Sequence, residues 1–166
     1  MSFISKHASK LIILIFLIFW LFWQGIPAFN RWRADKLVDE LCAKDGGIKV
    51  NETVTLPKER FDKWGTMFVA DKRFMKSTDE YYTEWDTQYY KMDGTLDLEK
   101  PHRDKSPEVS QSHYKIYRKI DAKLLGEAVG YARRGGEAIG PWHLSSYACP
   151  TNFETDLNKQ IFLKVE

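Results

Sequence analysis

The sequence predicts an α+β protein: an N-terminal transmembrane helix followed by a small domain with an antiparallel sheet and one or two short helices. Three observations lead to this fold class. Thirteen apolar residues occupy positions 11–23 without a polar interruption. Several later segments alternate apolar and polar residues, which is typical of half-buried strands. Helical segments are few, and they are expected together on one face of the sheet.

Length and charge limit the classes of function. The chain has 166 residues and a formal net charge of +2, and 29% of its residues are charged. Setting aside the first 30 residues leaves 136, which is enough for one domain with a hydrophobic core. A near-neutral charge provides no basic face to neutralise a run of phosphates, so nucleic acid is not an expected partner.

The apolar start of the chain predicts a membrane anchor. Residues 1–10 are expected to form a cytoplasmic N-terminus, 11–30 the transmembrane anchor and 31–166 the soluble α+β domain. A helix over 11–29 is about 28 Å long, which is close to the ~30 Å thickness of the hydrocarbon core of a bilayer.

A cleaved signal peptide is the alternative to a retained anchor. It would also have a basic start and an apolar core, but Ile26 places a bulky residue at position −3 of the best cleavage site, which ends at Ala28. Trp20, Trp23 and Trp32 are typical of an interfacial belt at the end of a retained helix. A retained anchor in contact with membrane lipid is therefore favoured.

Two signals disagree on the orientation of the anchor. Lys6 and Lys10 precede it and favour a cytoplasmic N-terminus, whereas the larger number of basic residues after it favours the opposite. Cys42 and Cys149 are the two cysteines, and they form either one disulfide or two buried free thiols. A disulfide is favoured and belongs to an oxidising compartment. The domain is therefore expected in the periplasm, outside the inner (plasma) membrane.

The domain begins with a helix over 31–44. Val38 and Cys42 lie one turn apart on its apolar face, and the two glycines after Asp45 are a stop signal. Pro27 either kinks one continuous helix or separates this helix from the anchor.

Alternating segments define the strands. The predicted elements are, in chain order, a strand over 48–56, a short helix over 58–64, a strand over 66–76, a strand over 81–91, a short strand over 95–98, a surface loop over 99–111, a hairpin over 112–132 whose return strand is 124–132, a loop over 133–150 and a strand over 161–165. Glu52 interrupts the apolar face of the first strand. It is either an edge position near solvent or a functional carboxylate.

No catalytic, cofactor or metal site is predicted. The four histidines are scattered, and no pair has the spacing of zinc or haem ligands. His143 lies near two serines but lacks the local signature of a serine hydrolase, so a loop histidine bonded to backbone is favoured. No two carboxylates are placed for acid–base catalysis. The protein is therefore not expected to be an enzyme.

Aromatic residues are 14% of the chain and provide the candidate contacts for a partner or ligand. Tyr81, Trp85 and Tyr89 share one face of the strand over 81–91, where exposed rings could stack on sugars or contact a protein. The alternative is that the aromatic rings fill the core. Trp142 and His143 lie in a loop bounded by glycine and proline that could present the indole outward.

Three blocks of sequence carry a resemblance to a known group of proteins. They are CAKDGGIKV at 42–50, SHYKIYRK at 112–119 with LLGE at 124–127, and GPWHLSSYACP at 140–150. Together they resemble small proteobacterial proteins with a single-pass membrane anchor, over about half of the soluble part. The resemblance implies a location in the bacterial envelope and a disulfide between the two cysteines. It implies no activity.

The expected function is non-catalytic. An anchored protein of this kind would use its periplasmic domain to bind or stabilise another envelope protein or membrane complex. The alternative is an anchored module that binds a glycan or another ligand through exposed aromatic rings.

Overall fold

The structure is a computed structural model of the chain. It describes residues 2–99, 107–137 and 145–165, without the side chains of 2–9 and of 24. The architecture is α+β. Its helices are α1 (Ser2–Asp45) and α2 (Phe153–Ile161), and its strands are β1 (Gly47–Val50), β2 (Val54–Leu56), β3 (Ala70–Asp71), β4 (Tyr81–Tyr90), β5 (Leu96–Asp97), β6 (Glu108–Arg118), β7 (Lys123–Arg134), β8 (Ser146–Cys149) and β9 (Phe162–Lys164).

Helix α1 is continuous over 44 residues, about 66 Å at 1.5 Å per residue. Pro27 lies inside the helix and does not end it. The stretch from Lys10 onward is long and apolar enough to cross a membrane, and the side chains over 11–23 are all exposed. The last turns, from Ala34 to Asp45, pack against the sheet instead.

Three long antiparallel strands form the centre of the sheet. β6 pairs with β7 over its whole length and with β4 on its other side. β1 and β8 lie one after the other along the outer side of β7, and β3 and β5 lie one after the other along the outer side of β4. β3 runs parallel to β4, and β2 with β9 forms a separate parallel pair. The predicted strand over 81–91 and the hairpin over 112–132 are confirmed.

The sheet carries one helix on each face of β7. Gly130 meets the ring of Phe153 in α2, on what we call the α2 face. Its neighbour Tyr131 points to the opposite face, which we call the α1 face, and packs there with Ala34 and Val38. The prediction that the helices lie on one face is therefore wrong, because both faces of this strand are apolar and each must be covered.

Two predicted strands are shorter than expected. After Val50 the chain leaves β7 and continues as β2, which pairs with β9, so the predicted strand over 48–56 is two strands. The segment over 66–76 contains only β3, because a 3-10 turn, Lys72–Phe74, follows it directly. The Asp71 side chain accepts a hydrogen bond from the amide of Arg73 and begins that turn.

Three further segments also differ from the prediction. The short helix over 58–64 is reduced to one 3-10 turn, Lys58–Arg60. The predicted loop over 133–150 contains β8, and α2 follows it without having been predicted. The last strand is confirmed as β9, although it pairs with β2 rather than with the main sheet.

Candidate functional site

The end of α1 is joined covalently to the sheet. Cys42 in α1 and Cys149 in β8 form a disulfide with their Cα atoms 5.9 Å apart, as predicted. Cys42 is buried among the residues that α1 packs on the α1 face. The disulfide therefore lies inside the contact between helix and sheet and holds the two elements together.

Three acidic residues of α1 add polar contacts to the same junction. Asp35 accepts a hydrogen bond from Arg133 Nε at 2.7 Å. Asp39 and Asp45 accept hydrogen bonds from the hydroxyls of Tyr147 and Tyr131, at 2.7 and 2.6 Å. These contacts extend over three turns of the helix, so α1 is fixed along its length and not at a single point.

Arg133 is the most deeply buried charge of the junction, with 4% of its surface exposed. Besides Asp35, its guanidinium donates to the Gly135 carbonyl and to the Ser145 hydroxyl, both at 2.7 Å. A buried cation is tolerated when its donors are paired in this way. Arg133 thus connects α1, β7 and the residues that precede β8.

Five tyrosines of the domain have raised pKa values, and the shifts are largest for Tyr114 and Tyr131. Burial raises the pKa of Tyr114 from 10.0 to about 12. Burial, followed by the hydrogen bond to Asp45, also raises the pKa of Tyr131. Both phenols therefore keep their protons in the folded protein at a pH where an unfolded chain loses them.

We expect the domain to lose stability in alkaline solution above pH 10. Because the folded-state pKa of Tyr114 lies above the unfolded value, its contribution is present below pH 10 and is lost as the pH rises toward 12. Deprotonation of Tyr114 should lower the free energy of unfolding by about 2 kcal/mol. Urea unfolding at pH 9 to 12 would measure the fall, and Tyr114→Phe should make it shallower. A wild-type curve as shallow as the variant's would contradict the assignment.

The predicted row of exposed rings is interrupted in the structure. Tyr81 is buried against Phe162, with 9% of its surface exposed. Trp85 is 45% exposed and Tyr89 is half-buried. Tyr81 therefore cannot offer its ring to a ligand, whereas Trp85 can. Trp142 and His143 lie outside the described residues.

Trp85 stands at an open part of the sheet edge. Along β4, the pairing with β3 ends at Thr83 and the pairing with β5 begins at Tyr89, so residues 84–88 lie between the two short strands. A cleft of about 270 Å³ adjoins this part of the edge, lined by Asp71, Lys72, Arg73, Glu84, Trp85, Asp86, His113 and Lys115. Such a combination of a free edge, a cleft and a half-exposed indole is suited to binding.

Two titratable groups that the sequence analysis considered, His113 and Glu52, are paired with charged side chains of the β6–β7 hairpin. His113 Nε2 lies 2.9 Å from Glu127 Oε2 across β6 and β7, and no described hydroxyl or thiol is hydrogen-bonded to it. Glu52 pairs with Lys123 and Arg118, and these contacts lower its pKa. Glu52 therefore holds the end of the hairpin. No group of three metal-ligating side chains occurs in the described part of the chain.

Some residues of the two sites were not singled out from the sequence. Arg133 and Asp35 carry no local signal, because their pairing joins positions 98 residues apart. Asp86 lies on the face of its strand opposite the aromatic row, where no local pattern marks it as a contact residue. A comparison of the chain with protein-family models, curated protein sequences and solved structures found no match.

Proposed function

We propose that this protein is a non-catalytic, single-pass membrane protein whose periplasmic domain binds or stabilises another protein or complex of the bacterial envelope. The observation that carries the proposal is the junction between α1 and the sheet. One helix contains both the apolar stretch and the residues that pack on the domain, so no flexible linker separates them.

The spacing along α1 supports a domain held close to the bilayer. Phe29 is exposed and stacks on Trp32, with ring centroids 5.8 Å apart, and Lys36 Nζ lies 5.6 Å from the Trp32 ring. Aromatic and basic side chains of this kind are enriched at the membrane interface. Packing on the sheet begins at Ala34, two residues after Trp32. A partner of this domain would thus meet it at a fixed height and orientation.

The disulfide and the charges before the span support the periplasmic orientation. Disulfides persist in oxidising compartments, and Lys6 and Lys10 suit a cytoplasmic N-terminus. A C-terminal alkaline phosphatase fusion should be active and a C-terminal green fluorescent protein fusion dark. The opposite pattern would place the domain in the cytoplasm.

We expect partner recovery to depend on the rigid connection. The protein and its neighbours would be cross-linked in membranes of the native host, purified in mild detergent and quantified by mass spectrometry. Inserting a flexible segment of six residues, alternately Gly and Ser, between Phe29 and Asn30 should remove most of the recovered partner. The insertion breaks the rigid connection between the apolar part of α1 and the domain, so the domain no longer has a fixed height and orientation. The same insertion between Ser5 and Lys6 is the matched control and should recover as much partner as the wild type. Failure to recover any reproducible partner would contradict the proposal.

A second candidate function is binding of a glycan or small ligand at Trp85. The half-exposed indole beside a cleft favours it, although the buried ring of Tyr81 leaves no continuous aromatic row. Soluble peptidoglycan fragments titrated against the wild type and against Trp85→Ala would test it. Equal signals from the two proteins would exclude this site.

A further inference from the structure

We propose that the open edge of β4, residues 84–88, binds an extended peptide segment of the envelope partner as an added β-strand, an inference that rests on the proposed function. β3 pairs with Tyr82 and Thr83, and β5 pairs with Tyr89 and Tyr90, so both ends of the outer side of β4 are occupied. Within the described ranges no strand pairs with the outer side of the stretch between them, whereas β6 pairs with its inner side.

The backbone of the open edge offers hydrogen-bonding groups to an added strand. The Lys91 amide donates to the Thr95 carbonyl at 2.8 Å on the β5 side. In an antiparallel ladder the groups that face one side recur at every second residue. Trp85 and Thr87 therefore turn their N–H and C=O groups toward the open side, and Asp86 turns its own toward β6. An added strand would pair the four groups of Trp85 and Thr87.

The shape of the gap selects a single peptide over a folded sheet. Five residues of β4 span about 17 Å. Because β3 and β5 border this stretch, the edge is recessed between them. A second copy of the chain has the same recess, so two β4 edges cannot meet without displacing the short strands. A single extended segment of about five residues enters without that displacement.

On the α2 face the edge presents a positioned aromatic ring. Trp85 Nε1 donates to Thr87 Oγ1 at 3.0 Å, and the Trp85 ring packs edge-on against Tyr114 with centroids 5.6 Å apart. The ring is thus held in place while 45% of the Trp85 surface stays exposed. Its exposed part is suited to an apolar side chain on the added strand.

On the α1 face the edge presents an unpaired carboxylate. The neighbouring acids Glu84 and Asp71 are already paired, with Lys72 at 2.6 Å and Arg73 at 2.8 Å. Asp86 is exposed and has no ion pair or hydrogen bond with any described residue. Because its backbone faces β6, its side chain would form a close, non-hydrogen-bonded pair with the added strand. A basic side chain is the complement, and the adjoining cleft has room for it.

The ligand is therefore a segment with an apolar, a basic and an apolar residue in succession, opposite Trp85, Asp86 and Thr87. The capped peptide Thr-Val-Lys-Val-Thr has this pattern and the length of the gap, and it would be titrated into the isotope-labelled full chain in nanodiscs of zwitterionic lipid. We expect saturable shifts of the amide resonances of Trp85 and Thr87. Replacing the peptide's lysine by glutamate should weaken binding about fivefold or more.

Backbone methylation distinguishes strand addition from side-chain contact alone. N-methylation of the two valines removes the amides that face β4 and should abolish binding, whereas N-methylation of the lysine should leave it. With Asp86→Lys the peptide preference should reverse, so that the glutamate peptide binds better than the lysine peptide. Absence of saturable shifts, or equal binding of the valine-methylated peptide, would overturn the inference.

A variant of the edge separates this inference from the proposed function. Thr87→Pro removes an amide that faces the open side and leaves the β4–β6 ladder intact, whereas Thr87→Ser keeps both this amide and the hydroxyl that accepts from Trp85 Nε1, and is the matched control. We expect Thr87→Pro to lose both the peptide and the envelope partner, and Thr87→Ser to keep both. Partner recovery that is unchanged in Thr87→Pro would overturn the edge as the docking site while leaving the proposed function in place.

Discussion

Removing the disulfide is expected to lower the free energy of unfolding by about 2–4 kcal/mol. Cys42 and Cys149 are 107 residues apart in the sequence, so their bond restricts most of the unfolded domain. The chain-entropy model gives ~4–5 kcal/mol for so long a loop, and measured values are often smaller. Urea unfolding of the full chain in detergent, followed by near-ultraviolet circular dichroism, would measure the change in Cys42→Ser/Cys149→Ser.

Chemical reduction of the wild type is the control for this double variant. Cys42 is buried, so serine there also alters packing, whereas reduction breaks the bond and leaves both sulfur atoms in place. Both proteins should lose hydrogen-exchange protection first in the last three turns of α1, which the disulfide holds against β8. Oxidised and reduced wild type that unfold at the same urea concentration would contradict the expected contribution.

The long strands could be predicted because their residues alternate. The segment after Glu80 and the one around Tyr114 have the period of two that a half-buried strand requires, and both are observed. The shortest strands have no such period, because β3 and β5 have two residues each and two positions do not define a period of two. β5 nevertheless lies within the short strand predicted over 95–98, whereas β3 is much shorter than the strand predicted over 66–76. The bounds of β3 depend on its pairing with Tyr82 and Thr83 of β4, which no pattern within β3 itself indicates.

Helix α2 could have been predicted and was not. Phe153, Leu157 and Ile161 are spaced four apart, which is a helical stripe, and the last two are fully buried. The short length of nine residues and the strand signal of the tail concealed the pattern. Because α2 was absent from the predicted elements, the helices that were predicted, over 31–44 and 58–64, were expected together on one face of the sheet.

The candidate sites likewise contain features that one segment of sequence reveals and features that depend on contacts between distant segments. The disulfide could be proposed because each cysteine is recognisable on its own. The open edge of β4 could not, because it is defined by where β3 and β5 stop and not by any residue type. Trp85 was singled out from its position in an alternating strand, and its exposure is consistent with a contact role. Tyr81 has the same pattern but is covered by Phe162 of β9, a contact between positions 81 residues apart.

Gly126→Ala is expected to be the most disruptive single-methyl substitution in β7, lowering the free energy of unfolding by about 2–3 kcal/mol. A Cβ at this position would lie 2.9 Å from the Lys49 carbonyl oxygen and 2.9 Å from Ile161 Cδ1. The Lys49 oxygen belongs to the backbone of β1, so the strand itself must move. That movement would strain the pairing of β1 with β7 and the packing of α2 together.

Gly130→Ala is the matched control, because the two glycines lie on the same face of the same strand. A Cβ at Gly130 would lie 2.4 Å from the ring of Phe153, which is closer than either contact at Gly126. The Phe153 ring is a half-buried side chain at the start of α2 and can turn away, so we expect a loss of about 1 kcal/mol or less. Gly130→Ala/Phe153→Leu should recover most of that loss, whereas no single side-chain change should rescue Gly126→Ala. Urea unfolding of the wild type, the two single variants and the double variant would measure both effects. A larger loss of stability for Gly130→Ala than for Gly126→Ala would contradict the prediction, because it would show that displacement of the ring, and not of the backbone, limits the packing of α2 on the sheet.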